Sequence, residues 1–271
     1  LVLFSLITVG YSANALGGAG GPLAVLIIAI VAAELGKAVS KETKVDILVT
    51  PLVTIFAGVG LSMLIAAPIG AAASQVGTLI MWATEQAPLV MGILVSVIVG
   101  VALTLPISSA AICAALGLTG LAGGAAVAGC CAQMVGFAVM SYKENGVGGL
   151  VSQGLGTSML QMGNIIKNPR IWIAPTLASA ITGPLATCLF HFEMNGAAVS
   201  SGMGTCGLVG QIGVYTGWVS DIAAGTKAAI TPMDWAAMVL LCFVLPAVLS
   251  VVFCEVERKL GWIKEGDLKL N

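Results

Sequence analysis

Charge is what this sequence most lacks. Lysine and arginine total 11 and aspartate and glutamate 12 in 271 residues, so 8% of the chain is charged. Soluble domains carry about a quarter charged residues, and a chain this poor in them cannot clothe a water-soluble globule of its size. The formal net charge of −1 excludes a nucleic-acid partner, because nothing would neutralise a run of phosphates. Histidine occurs once, at His191, which excludes a paired-histidine metal or catalytic centre. No GxSxG elbow, HExxH helix or GxxxxGK[ST] loop is present. The sequence therefore calls for no metal and no cofactor, and an intramembrane enzyme is the reading it supports least. The seven cysteines contain no CxxC spacing, are odd in number and lie within apolar segments; they read as small packing residues.

What is abundant is apolar. Hydrophobic residues make up 58% of the chain and the mean hydropathy is +1.06, so the solvent of this protein is lipid. The 35 glycines fit close helix contacts and broken spans in a bilayer. A hydrocarbon core needs about 20 apolar residues in a helix. Such runs fall at residues 22–39, 47–67, 88–105, 120–140, 171–190 and 235–256, with a further piece at 1–15. That piece begins at Leu1 in mid-hydrophobic stride with no basic region before it, which reads as a chain whose opening part is missing. The expected fold is an all-α integral membrane protein, a polytopic helical bundle forming one transporter-like domain over residues 1–271.

Four other apolar stretches make poor spans. Residues 68–86 mix Ser74, Gln75, Thr78 and Trp82 at helical spacing, as an interfacial helix does. Residues 106–118, 149–166 and 196–218 are too short, too glycine-rich or too polar. Charge parity decides what these three must do. Lys37, Lys41 and Lys44, then Lys143, then Lys167 with Arg170, then Arg258, Lys259, Lys264 and Lys269 occupy four segments; together they are ten of the eleven basic residues, leaving Lys227. The positive-inside rule puts all four segments, and so the C-terminus, on the cytoplasmic side. Residues 149–166 then dip in and return, or lie flat. Residues 106–118 complete a hairpin, and residues 196–218 are re-entrant or peripheral. Non-helical backbone at membrane depth persists only inside protein or beside a watery cavity, so the three segments point to an internal solute path. Pro51 and Pro175 sit at matching places in KVDILVTPLVTIFAGVG and NPRIWIAPTLASAITGP, a faint echo of the internal repeats from which transporters are often built.

The candidate path residues are uncharged for the most part. Ser108 and Ser109 follow Pro106, where they either bond back to their own helix or line the path. Gln133 lies mid-span, as helix–helix glue or as lining. Gln161 and Asn164 share a helical face. The richest stretch, FHFEMNGAAVSSGMGTCGLVGQIG, adds His191, Glu193, Asn195, Ser201, Thr205 and Gln211. A carboxylate near membrane depth is a functional candidate by default, although His191 and Glu193 also suit the outer water interface.

The blocks LTLPISSAAICAALGL, GCCAQMVGFAVMSYKENG, GLGTSMLQMGNIIKNPRIWIAPTLASAITGP, GMGTCGLVGQIG and GWIKEGDLKL resemble the IIC-like membrane proteins of the phosphotransferase system, in the branch labelled toxin (perfringolysin) regulator. The resemblance implies a sugar-type permease of the bacterial-type plasma membrane, a homodimer with re-entrant hairpins around a central solute site, and further helices ahead of Leu1. It implies separate IIA and IIB partner proteins, since this chain carries no soluble phosphoryl-donor domain. In sugar IIC proteins a histidine and a glutamate near a hairpin contact the sugar and assist its phosphorylation. Here the available pair, His191 and Glu193, lies two residues apart, a departure from that pattern. The expected function is movement of a small neutral polar solute, a carbohydrate, by alternating access. The alternative is a membrane sensor that holds a ligand without net transport and signals through residues 258–271.

Overall fold

Apolar residues without strand punctuation coil into helices, because in lipid each backbone N–H and C=O must be paired within its own segment. The computed structural model describes residues 21–40 and 46–270; the apolar piece 1–15, Lys41 and Lys44 lie outside the described residues. Eleven α-helices occur among the described residues: α1 (Gly21–Val39), α2 (Asp46–Gln86), α3 (Pro88–Thr104), α4 (Ser109–Leu116), α5 (Gly120–Met140), α6 (Tyr142–Val151), α7 (Met162–Lys167), α8 (Ile173–Pro184), α9 (Val209–Ala223), α10 (Pro232–Val239) and α11 (Leu245–Lys259). Short 3₁₀ and π turns join several of them into longer rods. No strand occurs among these residues, only a bridge between Gly120 and Met194.

Among the described residues, four stretches are long and apolar enough to cross a membrane: Asp46–Gln86, Gly120–Met140, Pro169–Leu189 and Pro232–Lys259, with Pro88–Thr104 shorter. The expected span at 120–140 is matched residue for residue. The expected interfacial helix at 68–86 is instead continuous with the span before it: α2 runs through Pro51 and Pro68 without a break. Its 41 residues rise about 60 Å at helical pitch, roughly twice the hydrocarbon thickness. Both halves therefore cannot sit in the hydrocarbon of one upright span.

By its contacts the chain divides into two units, Leu1–Gly77 with Ala114–Leu116, and Thr78–Cys113 with Gly117–Asn271. In the first, Ala24 and Ile28 of α1 pack with Ala66 of α2. Gly77 lies so close to Leu116 that a Cβ there would stand 1.5 Å from its carbonyl oxygen.

The second unit is built on α5, which is buried along almost all of its length. Small residues let neighbouring backbones reach it. A Cβ on Gly129 would lie 2.0 Å from the Ser96 carbonyl oxygen of α3. The Ser96 hydroxyl donates to the Ser179 carbonyl of α8 at 2.6 Å, and the Cys130 thiol to the Val99 carbonyl. These pairings fix direction. Ser96 meets Gly129 and Thr104 meets Gln133, so α3 and α5 run the same way. Ser179 meets Gly129 while Thr176 meets Gln133, so α8 runs against them. Gly136 packs on Ser250, and Met140 shares a cluster with Cys254, so α11 runs with α5.

One end of this bundle gathers charge. Arg258 pairs with Glu144 at 2.6 Å, Lys143 with Glu255 at 2.8 Å, and Arg170 stacks over Trp262. The basic segments around Lys143, Arg170 and Arg258, which the charge rule places on one side, thus meet. Amide side chains then hold the last residues. Asn145 donates to the Leu268 carbonyl and accepts from the Leu270 amide, while Gln161 and Asn164 donate to the Leu268 and Lys269 carbonyls. The other end carries Lys227, which pairs with Asp234 beside an aromatic group of Tyr215, Trp218 and Trp235, residue types common at membrane–water interfaces.

Candidate functional site

The directions of α3, α5, α8 and α11 oblige the chain to turn back three times. Between α3 and α5 it returns along α4. Between α5 and α8, residues 142–167 leave the charged end and come back to it. At their innermost point, Ser158 Oγ lies 2.8 Å from Thr104 Oγ1 and Gly154 lies against Ala138. Glycine makes the turn: α6 is kinked at Gly146 (φ 58°), and the π turn Ser152–Gly156 gives way to extended Thr157, whose hydroxyl caps the next turn by accepting from the Met159 amide.

Between α8 and α10, residues 195–218 dip from the opposite end. Ser201 Oγ donates to the Leu118 carbonyl and Ser109 Oγ to the Gly202 carbonyl, both at 2.6 Å. The turn at the bottom has Gly204, Gly207 and Leu208 at positive φ, with Gly204 against Cys130 of α5. α9 then climbs back, with Gly213 on Ser200 and Gly217 on Asn195. The two dips touch at their tips, where Thr205 Oγ1 donates to the Gly154 carbonyl at 2.5 Å.

A cavity of about 390 Å³ opens at this meeting point. Pro106, Ser108 and Ser109 line it from the first return, Gly156 and Thr157 from the second, Met203 and Cys206 from the third. Among the described residues, no Asp, Glu, Lys, Arg or His lines it. Ser108 Oγ accepts from the Ala111 amide, so it caps α4 while facing the cavity.

The remaining candidates lie elsewhere. Gln133 is sealed in the bundle: its Nε2 donates to Thr176 Oγ1, and its Oε1 accepts from Trp172 Nε1 and Thr104 Oγ1. It ties three helices together, and through Thr104 it supports Ser158 at the tip. Gln161 and Asn164 share a hydrogen bond at 2.7 Å and grip the C-terminal segment. Thr205 joins the tips, and Ser201 anchors the second dip. Gln211 donates to Cys131 Sγ while its Oε1 is buried without a partner. His191, Glu193 and Asn195 line a different cavity, of about 470 Å³, with Trp218, Asp221 and Lys227. There Asn195 Nδ2 donates to Glu193 at 3.1 Å and to Asp221 at 2.9 Å. No group of three or more potential metal ligands forms among the described residues. Sequence reasoning passed over Thr157, Met203 and Cys206. The signal for Thr157 was its place directly after the spaced glycines Gly154 and Gly156, and Cys206 was submerged in a general reading of cysteine as packing.

The model of the family "Phosphotransferase system, EIIC" matches residues 3–270. The chain belongs to that family. This EIIC chain is accordingly a multi-pass protein of the plasma membrane and a permease component of a phosphotransferase sugar-transport system, which works with IIA and IIB components. The match is to the family as a whole and does not distinguish the toxin-regulator branch within it. Comparison with curated proteins and with solved structures returned no match. The histidine–glutamate pattern of sugar IIC proteins has no counterpart at the tip cavity, since His191 and Glu193 line the other one.

Proposed function

We propose that the cavity between the tips is the solute site, that its solute is a neutral polyhydroxy compound of the carbohydrate class, and that access to it alternates between the two ends of the bundle. The observation that carries this reading is the convergence of three turned-back segments on one cavity whose lining is mostly apolar but carries the hydroxyls of Ser108, Ser109 and Thr157, with no full charge among the described residues. A charged solute would lack a counter-ion there, whereas a sugar can set hydroxyls on Ser108 and Thr157 and its C–H face on Leu103, Ile107 and Met159. In the bilayer the two dips are re-entrant, and the charged end with its C-terminal segment faces the cytoplasm, as the basic residues gathered there favour. The broken backbone of each dip is tolerated because it lies against protein and a cavity.

Ser108 is exposed at the cavity, so Ser108→Trp fills the site, and Ser108→Ala, which also loses the α4 cap but adds no bulk, is the control. Titration of the purified protein with a sugar that raises its melting temperature is expected to show affinity falling at least about tenfold in Ser108→Trp, about 1.4 kcal/mol. Unchanged affinity removes the tip cavity as the site.

A second reading, ligand sensing without net transport, is favoured by one observation. The dip that lines the cavity is bonded at its base to the C-terminal segment through Asn145, Gln161 and Asn164. Counterflow of labelled sugar in proteoliposomes separates the two: flux supports the permease, and stabilisation by sugar without flux supports the sensor.

A further inference from the structure

We propose that the hydrogen bond from Thr205 to the Gly154 carbonyl is the latch of a gate, and that the tip beyond Gln153, Gly154 to Gly156, opens it by moving into an apolar void beside it. What the gate admits rests on the tip cavity being the solute site; the latch itself rests on geometry.

Three observations support it. First, the base of the first dip is fixed while its tip is not. Gln153 Nε2 donates to Ser141 Oγ and to the Gly149 carbonyl, and Gln161 joins Gln153 to the C-terminal segment. On the far side Ser158 is held by Thr104. Between these anchors Gly154 carries the latch, and the space a Cβ would take at Gly156 is open. Second, the moving piece has somewhere to go. A cavity of about 220 Å³ lies beside it, lined by Val135, Ala138, Leu150, Val151, Leu155 and Phe243. The pocket is open on one side and its lining side chains are apolar, so no buried polar group has to lose a partner for the tip to enter. Third, both tips have irregular backbone. One is a π turn, a form that recurs at functional sites. The other holds Leu208 at φ 59°, a conformation an L side chain adopts only under constraint from its surroundings.

Opening would free Thr205, which together with Gly204 covers Met134 and Cys130 of α5. Both are completely buried, and they lie directly beneath Thr205 and Gly204. The latch would thus separate the tip cavity from the centre of the bundle.

Hydrogen exchange on the full chain in detergent tests this without any solute. Thr205→Val keeps the shape and removes the donor; Thr205→Ser keeps the hydroxyl. Amides of residues 154–157 are expected to exchange about fivefold faster in Thr205→Val, the weight of one ordinary hydrogen bond, and at the unmodified rate in Thr205→Ser. The Leu270 amide, held by Asn145, should not change. Val135→Phe, which fills the void, should slow exchange at 154–157 and reduce sugar counterflow while sugar still stabilises the protein. Unchanged exchange in Thr205→Val overturns the latch, as does acceleration that spreads to Leu270, since that marks general loosening. Exchange and flux both unaltered by Val135→Phe overturn the void as the route. Because the exchange arm uses no sugar, the latch and the solute site fail separately: Ser108→Trp against Ser108→Ala reports on the site.

Discussion

Arg258→Ala is expected to cost about 3–5 kcal/mol of stability, the usual price of removing one partner from a buried ion pair. The Arg258 and Glu144 side chains are 15% and 9% exposed and meet at 2.6 Å. Without the guanidinium, the Glu144 carboxylate is left facing protein instead of water. The pair joins the start of α6 to the end of α11, so its loss should also loosen the base of the first dip. A double variant, Glu144→Gln with Arg258→Met, is expected to recover most of the loss, because it removes both buried charges together. Thermal unfolding in detergent reads both. Equal destabilisation in the single and double variants would mean that packing of the arginine stem, and not its charge, holds this end.

Gly129→Ala should be about as severe, at roughly 3 kcal/mol or more, above the common range for overpacking. The added Cβ would stand 2.0 Å from the Ser96 carbonyl oxygen. That atom is backbone within α3 and cannot swing aside. Relief therefore requires α3 and α5 to separate. Separation stretches the bonds that cross this contact, from Cys130 to Val99 and from Thr104 to Gln133, and the Thr104 bond supports Ser158 at the tip cavity. Gly163→Ala is the comparison, since nothing lies within 4 Å of its Cβ position. It should stay within about 0.5 kcal/mol of the parent, as surface substitutions do. Equal effects at the two glycines would contradict the close packing of α3 on α5.

Much of the architecture was legible because two periodic signals are strong in lipid. Apolar run length marks spans, and basic loops mark sides. Charge parity alone required residues 106–118, 149–166 and 196–218 to be something other than simple crossings, and the directions of α3, α5, α8 and α11 pose the same requirement. Residues 68–86 were harder, because Pro68 reads as a boundary while a long helix absorbs it with the loss of one hydrogen bond.

The site was less legible than the fold. Spacing put Gln161 and Asn164 on one face, and they do bond to each other. It carried no information about the Leu268 and Lys269 carbonyls, more than 100 positions away, that complete their environment. The same limit applies to Gln133, a buried amide whose partners come from three other segments. Polar residues in a membrane chain announce that they need partners. Whether the partner is backbone, a side chain or a solute depends on which segments meet, and periodicity does not contain that. His191 and Glu193 illustrate the same limit: close in sequence to Ser201, Thr205 and Gln211, they line a separate cavity with Asp221 and Lys227.

The placement of the solute site is tested most directly by alkylation of Cys206, the cysteine that lines the tip cavity, read by mass spectrometry against the exposed Cys188. With a sugar that raises the melting temperature, modification of Cys206 should slow in step with occupancy, and that of Cys188 should not. A stabilising sugar that leaves Cys206 unprotected, and whose effect disappears on Asp221→Asn in the other cavity, would contradict the account.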